Sequence, residues 1–235
     1  VIDYHLTDYI MFVLSSDFER LPYKIPNIGE STTEATAIAS ELSVYLLEKE
    51  AYILKKLLGK AFYDELVEQF DLLTAWVTAT NYVTGDERTY NRKLWRALQD
   101  HLSAADKLPA DGSAYWEEVT DDIWANLFFG TDYVYADKTY EWVGMVELLR
   151  PYIYQAWVRD TYDNHTGAGM VVSANENGVD ISPAFRISNA FNKFSELAGG
   201  NYCVENSLYG FLYVNEDDYP EHEYTPQGYI NSFGL

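Results

Sequence analysis

Three stretches of the chain hold residue types from which chemistry could be built. In LLGKAFYDEL, residues 57 to 66, Gly59-Lys60 has the glycine–lysine pair of a phosphate-binding loop, whose backbone N–H groups cradle phosphates while the lysine neutralises them. Such a loop needs glycine at 54 and serine or threonine at 61. The chain has Leu54 and Ala61, so the pair reads as a helix stop: Gly59 follows the last apolar residue, Leu58, and can adopt the conformation that ends a helix without steric cost. On this reading Lys60 is solvated, and Phe62, Tyr63 and Leu66 pack the next turn onto the core.

The second stretch places Asp160, Asp163 and His165 before Gly167 and Gly169, which could form a metal site or a general base beside a loop. A histidine that follows a helix and faces the negative end of its dipole explains the same residues more simply. The third, Ser173-Ala-Asn175-Glu-Asn177-Gly178, resembles the start of a calcium loop, with alternating oxygen ligands and a glycine for the bend. Its first position is serine, and its twelfth is Ala184, which has no carboxylate. An asparagine-rich turn fits better. Asn164-His165-Thr166 matches a glycosylation acceptor, a triplet frequent by chance. Glu117-Glu118 and Asp121-Asp122 read as a solvated face. Serine elbows, Cys/His pairs, dinucleotide fingerprints and zincin helices are lacking, so neither a catalytic residue, a cofactor nor a metal ligand is assigned.

The elements that would position these residues read as mainly helical. Ser31-Thr32-Thr33-Glu34 has capping-box spacing and opens a helix to Leu58, with Ala35, Ile38, Leu42, Tyr45, Leu46, Ile53 and Leu57 on one face. A short second helix follows Gly59. Between 71 and 140 the pattern predicts a helix over Tyr90 to Ser103, a loop at Pro109 to Ser113, a helix over Tyr115 to Leu127 and a β-hairpin turning at Ala136-Asp137-Lys138. The segment from 140 to 162 is apolar around most of its circumference and reads as a central helix, kinked at Pro151. Ser182-Pro183 opens a helix that ends at Gly199-Gly200, and a last one runs from Asn201 to Tyr213. The expected fold is therefore a mainly α helical bundle over 31 to 213, with a long insertion at 71 to 140 carrying the hairpin. An N-terminal arm (1 to 30, with a strand near Tyr9 to Val13) and an extended C-terminal tail (214 to 235) flank it.

Composition narrows the function classes. Acidic residues outnumber basic ones by 37 to 16, a formal charge of −21, and no basic stripe is visible that could hold a phosphate backbone. Tight nucleic-acid binding is not expected. One cysteine, Cys203, excludes an internal disulfide framework and reads as a small packed hydrophobe. The longest apolar run is far too short to span a bilayer. The 21 tyrosines, with apolar rings and polar tips, suit surfaces that another protein covers.

Two blocks also carry a family resemblance. EAYILKKLLGKAFYDEL, Glu50 to Leu66, resembles the long-helix, Leu-Gly, Phe-Tyr-x-x-Leu signature of head–tail connector (adaptor, or neck ring) proteins of tailed bacteriophages. Those of phages infecting Bacteroides-type bacteria, including the crAss-like group, are nearest. EWVGMVELLRPYIYQAWVRDTYDNHTGAGMV, followed by SANENGVDISPAFRISNAFNKFSEL, is similar in the same way, so the quoted stretches cover about a third of the chain. The resemblance implies a structural virion protein, assembled in the host cytoplasm and located in the neck between capsid portal and tail. It implies a homo-oligomeric, dodecameric ring beneath the portal, with partners in the portal protein and the next neck or tail protein, and with DNA as a non-sticking passenger in the lumen. It implies no membrane and no catalytic residues. By chemistry and position, Tyr219, Pro220, Tyr224, Tyr229 and Phe233 in the tail are candidates for docking on a partner. The insertion at 71 to 140 is longer than in typical members. An acidic DNA mimic, based on charge alone, and a metal-dependent hydrolase built on Asp160 to His165 are the alternatives.

Overall fold

Twenty-six residues of good helix formers build α1 (Thr33–Leu58), and α2 (Lys60–Leu72) starts again directly after Gly59. The computed structural model describes residues 12–26, 28, 32–162, 184–220, 222–226 and 228. Of the face that the sequence places on Ala35, Ile38, Leu42, Tyr45, Leu46, Ile53 and Leu57, the residues Leu42, Leu46, Ile53 and Leu57 are fully buried, joined by Leu54 and Leu58, while Ile38 and Tyr45 are half-buried. The apolar segment becomes α4 (Met145–Tyr162), which runs through Pro151 and packs along α5 (Ala184–Ala198) as the most extensive helix pair. The helix start at Ser182-Pro183 and the loop at 163 to 183 lie outside the described residues.

The expectation of a mainly α fold is overturned. Among the described residues there are six helices and three small sheets, 49% helix and 15% strand, a mixed α/β architecture. The difference lies chiefly between α2 and α4. Strands β1 (Asn81–Tyr82) and β4 (His101–Leu102) pair antiparallel, while β2 (Glu87–Tyr90), β3 (Lys93–Ala97) and β5 (Trp116–Glu118) form an antiparallel sheet in the order β2-β3-β5. Leu94, Trp95, Leu98 and Leu102 have helical spacing. Asn91 and Arg92, however, sit at φ 52° and 58°, which makes a two-residue turn that folds the chain back at once. Lys93–Ala97 is then shared between two neighbouring strands, Thr89 facing Leu94 and Arg96 facing Glu117. Tyr82, Trp95 and Trp116 give this region a small core of its own, with Trp76, Tyr90 and Tyr115 against it. The helix expected over Tyr115 to Leu127 shrinks to α3 (Ile123–Phe129), capped by Asp122, whose side chain accepts the Ala125 N–H at 2.7 Å.

The hairpin is where the sequence puts it. Strands β6 (Thr131–Tyr135) and β7 (Lys138–Trp142) pair in register around Ala136 and Asp137, both at positive φ. Residues 140 to 142 thus belong to a strand, and α4 begins later than expected. The last helix is also shorter: α6 spans Leu208–Val214, preceded by a 3-10 turn at Gly200–Tyr202.

The described parts of the two arms are not extended away from the body. Phe12, Val13, Phe18, Ile25 and Ile28 are buried in the main core; of the strand expected near Tyr9 to Val13 only Phe12 and Val13 are described, and they form a bend ahead of a 3-10 turn at Ser15–Phe18. The carboxylate of Glu50, itself buried in α1, accepts the N–H of Phe12 at 3.0 Å and of Val13 at 2.9 Å, so this segment is fastened by a polar contact under an apolar cover. Tyr219 of the C-terminal segment is equally deep.

Candidate interaction surface

The Gly59 joint is a backbone crossing and not an anion site. Gly59 lies at φ 81°, ψ 162°, a conformation close to glycine-only, and a Cβ built there would stand 3.2 Å from Glu223 Cβ. Leu58, Phe62, Tyr63 and Leu66 are all buried around it, as the sequence predicts. Lys60 is exposed and pairs with Asp64 one turn on. What covers the joint is the C-terminal segment. The Glu223 N–H donates to the Leu58 carbonyl at 2.9 Å and the Thr225 N–H to the Leu57 carbonyl at 2.7 Å, so carbonyls left open at the end of α1 are satisfied from the far end of the chain.

Tyr219 and Tyr224, expected to dock on a partner, are occupied within the chain itself. The Tyr219 ring sits among Phe62, Trp124 and Phe211 at centroid distances of 6.2, 5.6 and 5.7 Å, and its hydroxyl donates to the Ile123 carbonyl. Burial pushes its phenol far above the usual range. The Tyr224 hydroxyl donates to the Ala198 carbonyl at the end of α5, at 2.6 Å. Pro220 is exposed. Tyr229 and Phe233 lie outside the described residues.

A different tyrosine surface emerges on α6. Ser207 caps this helix by accepting the Gly210 N–H at 3.0 Å, and Leu208, Phe211 and Leu212 face the core, which turns Tyr209 and Tyr213, one helical turn apart, outward. Gly210 has to be glycine, because a Cβ would lie 1.9 Å from the Val204 carbonyl oxygen and 2.6 Å from the Tyr133 hydroxyl. That hydroxyl donates to the Val204 carbonyl and accepts the Ser207 N–H at 3.2 Å, which ties the β6–β7 hairpin to α6. Five rings then run in succession. Tyr135 lies 6.1 Å from Tyr213, Tyr213 5.8 Å from Tyr209, Tyr209 5.3 Å from Tyr202 and 4.9 Å from Tyr224. Tyr135, Tyr213 and Tyr202 are 39%, 47% and 56% exposed, unusually open for rings that stack on one another. Burial, then the neighbouring phenols, raises the Tyr209 pKa. Glu205, Glu216 and Asp217 are exposed close by in sequence, and Cys203, expected to be packed, is exposed beside Tyr202.

Sequence reasoning missed this stripe because its members come from a hairpin tip, a 3-10 turn, a helix and the tail, and no single period links them. The signal that could have found part of it was Tyr209 and Tyr213 on the polar side of a helix whose other side is Leu208, Phe211 and Leu212.

The acidic cluster at the end of α4 is saturated. Asp160 accepts hydrogen bonds from Tyr45 Oη at 2.7 Å, Lys49 Nζ at 3.1 Å and Arg159 Nε at 3.1 Å. Partial burial alone would raise its pKa, but those three donors together hold the carboxyl below the usual range. Such a carboxylate is a poor general base. Asp163, His165 and the sequence from Ser173 to Gly178 lie outside the described residues. Among the described residues no group of three or more His, Cys, Asp or Glu side chains could hold a metal ion, and no described helix is long and apolar enough to cross a membrane.

No protein-family model, curated protein or solved structure matches the chain.

Proposed function

We propose that the chain is a structural protein whose task is to be covered by other proteins, and specifically a head–tail connector of a tailed bacteriophage. In this reading copies assemble as a ring in the neck of the virion, between the portal and the next neck or tail protein, after synthesis in the host cytoplasm. The single observation that carries the reading is the tyrosine stripe from Tyr135 to Tyr224, whose outer rings Tyr135, Tyr202 and Tyr213 are exposed. Tyrosine offers large rigid contact area with a polar edge, and exposed aromatic patches of this kind are characteristic of surfaces covered by a partner. The formal charge of −21 suits the same role, because a carboxylate-lined channel repels phosphate and lets DNA move without arrest. No catalytic residue is assigned to the chain, and Asp160 serves to join α1 and α4.

The test is negative-stain microscopy of the full chain alone and mixed with the portal protein of a Bacteroides-type phage. Rings, or an added layer on the portal, are the expected result. Isolated particles in both samples at every concentration, together with no binding of a hydrophobic dye, overturn the proposal.

A further inference from the structure

The two ends of α5 carry surfaces of opposite character. At its N-terminal end, Phe185 and Arg186 face Leu21, Tyr23 and Lys24 across a groove of about 470 Å³ over the buried Tyr154. Its apolar rim is open, with Leu21 81% and Phe185 64% exposed. Tyr23 is held in place: its ring lies 5.5 Å from that of Tyr154 and 5.7 Å from the Arg150 guanidinium. Lys24 and Arg186 are engaged in none of the ion pairs among the described residues, although acidic side chains outnumber basic ones by 37 to 16. The groove is therefore an apolar site with two cations at its rim on a strongly acidic protein, with the charges of Arg150, Glu147 and Glu196 acting on Tyr23 behind it.

At the C-terminal end of α5, the Tyr224 hydroxyl bonds to Ala198 and the tyrosine stripe begins. Glu205, Glu216 and Asp217, next to the stripe residues in sequence and exposed, are likewise in no ion pair among the described residues, Glu205 accepting a hydrogen bond from Tyr140. At about 1.5 Å per residue the two surfaces are separated by the length of the helix, about 20 Å. One is apolar and basic, the other aromatic and acidic.

We propose that the groove receives the tyrosine stripe of a second copy of this chain. Leu21 and Phe185 supply apolar area for the rings, while Lys24 and Arg186 pair with carboxylates beside the stripe and lie over tyrosine faces, which attract cations. Contact between unlike surfaces leaves the pair with one groove and one stripe still open, so association continues head to tail until the rotation closes a ring. A two-fold dimer of the same contact would have to seat both grooves on both stripes at once. The inference rests on the connector reading and adds to it the pair of surfaces through which neighbouring copies meet.

The test uses two variants of the full chain, followed by sedimentation. In one, Lys24→Glu and Arg186→Glu reverse the groove; in the other, Tyr202→Ser and Tyr213→Ser remove exposed rings of the stripe. Each alone should stay monomeric at concentrations where the wild type assembles, with self-association weakened at least tenfold. Mixed in equal amounts they should form a 1:1 dimer and nothing larger, since only one intact groove and one intact stripe are left to meet. That dimer also shows that both variants are folded. Assembly of either variant as in the wild type overturns the inference and leaves the connector reading standing, as does failure of the mixture to dimerise. A lowered thermal midpoint of the groove variant with assembly intact assigns the groove to a contact within the chain and overturns it equally. A wild type that is monomeric at every concentration, with and without portal, removes the connector reading and this inference together.

Discussion

The backbone N–H of Glu223 donates to the carbonyl of Leu58 at 2.9 Å, so the C-terminal segment closes the end of the first long helix. The contact is made where Gly59 breaks that helix and where a side chain in place of hydrogen would meet Glu223. With Tyr219 buried against Phe62 a few residues earlier, the described part of the tail belongs to the core and covers the α1–α2 joint. The portion that could reach a partner is correspondingly smaller than the tail as read from sequence.

Removing the Tyr219 ring should therefore cost the stability of a core aromatic. Tyr219→Ala is expected to lose about 3–5 kcal/mol. Tyr219→Phe keeps the ring but removes the hydroxyl's hydrogen bond to the Ile123 carbonyl, a loss of about 1 kcal/mol. Urea denaturation of both variants checks this. A Tyr219→Ala variant within 0.5 kcal/mol or so of the wild type would show the tail to be peripheral.

Gly59→Ala should destabilise by about 1–3 kcal/mol, because alanine is strained at φ 81°, ψ 162° and its methyl presses on Glu223. Lys60→Ala, in contrast, removes only an exposed pair with Asp64 and should fall within about 0.5 kcal/mol of the wild type. Inorganic phosphate should not shift the midpoint of either. Stabilisation of the wild type by phosphate that disappears in Lys60→Ala would restore the anion-loop reading.

What the sequence made legible was local. Gly59 as a stop, the buried face of α1, the hairpin at Ala136-Asp137 and the central position of α4 each follow from one period or one turn. The region around Leu94 and Trp95 misled because a short buried strand and one helix face share the same spacing, and the deciding fact is the left-handed pair Asn91-Arg92, neither of which is glycine. The tyrosine stripe and the groove were invisible for a different reason. Each is assembled from segments distant in the chain, Tyr135 with Tyr213 and Tyr23 with Tyr154, and only the tertiary fold brings their rings together.

If the stripe is an interface and not a piece of core, its outer rings can be removed without loss of stability. Tyr202→Ser and Tyr213→Ser are expected to change unfolding free energy by about 0.5 kcal/mol or less each, while hydrophobic-dye binding by the unassembled chain falls measurably. Tyr133→Phe makes the contrast. Its hydroxyl joins the Val204 carbonyl and the Ser207 N–H inside the structure, so its loss should cost about 1–3 kcal/mol and leave dye binding unchanged. Equal destabilisation by all three would place the stripe in the core.

Glu50 sets the pH dependence in the neutral range. Burial raises its carboxyl from the ordinary 4.5 to about 8, against the opposing effect of the N–H groups of Val13 and Phe12, with the negative charge of Asp17 adding to the rise. A pKa higher in the folded than in the unfolded chain means that the folded state holds the proton more tightly. The stability so contributed is complete below about pH 4.5 and is lost as pH rises through about 8, with a slope of at most about 1.4 kcal/mol per pH unit. Glu50→Gln cannot titrate, and its NH2 meets a backbone N–H where the protonated carboxyl of the wild type still has a hydroxyl oxygen that can accept, so it should be less stable than the wild type at pH 5 by about 1–3 kcal/mol. Its own profile should be flatter between pH 5 and 8, and the two curves should converge toward the alkaline end. Asp160 titrates outside this window, since its folded pKa is lowered and its contribution is lost only as the pH falls below the ordinary carboxylate range. Urea midpoints measured at pH 5, 6.5 and 8 decide the matter: parallel profiles would mean that Glu50 keeps one protonation state throughout and that the N-terminal segment is fastened independently of pH.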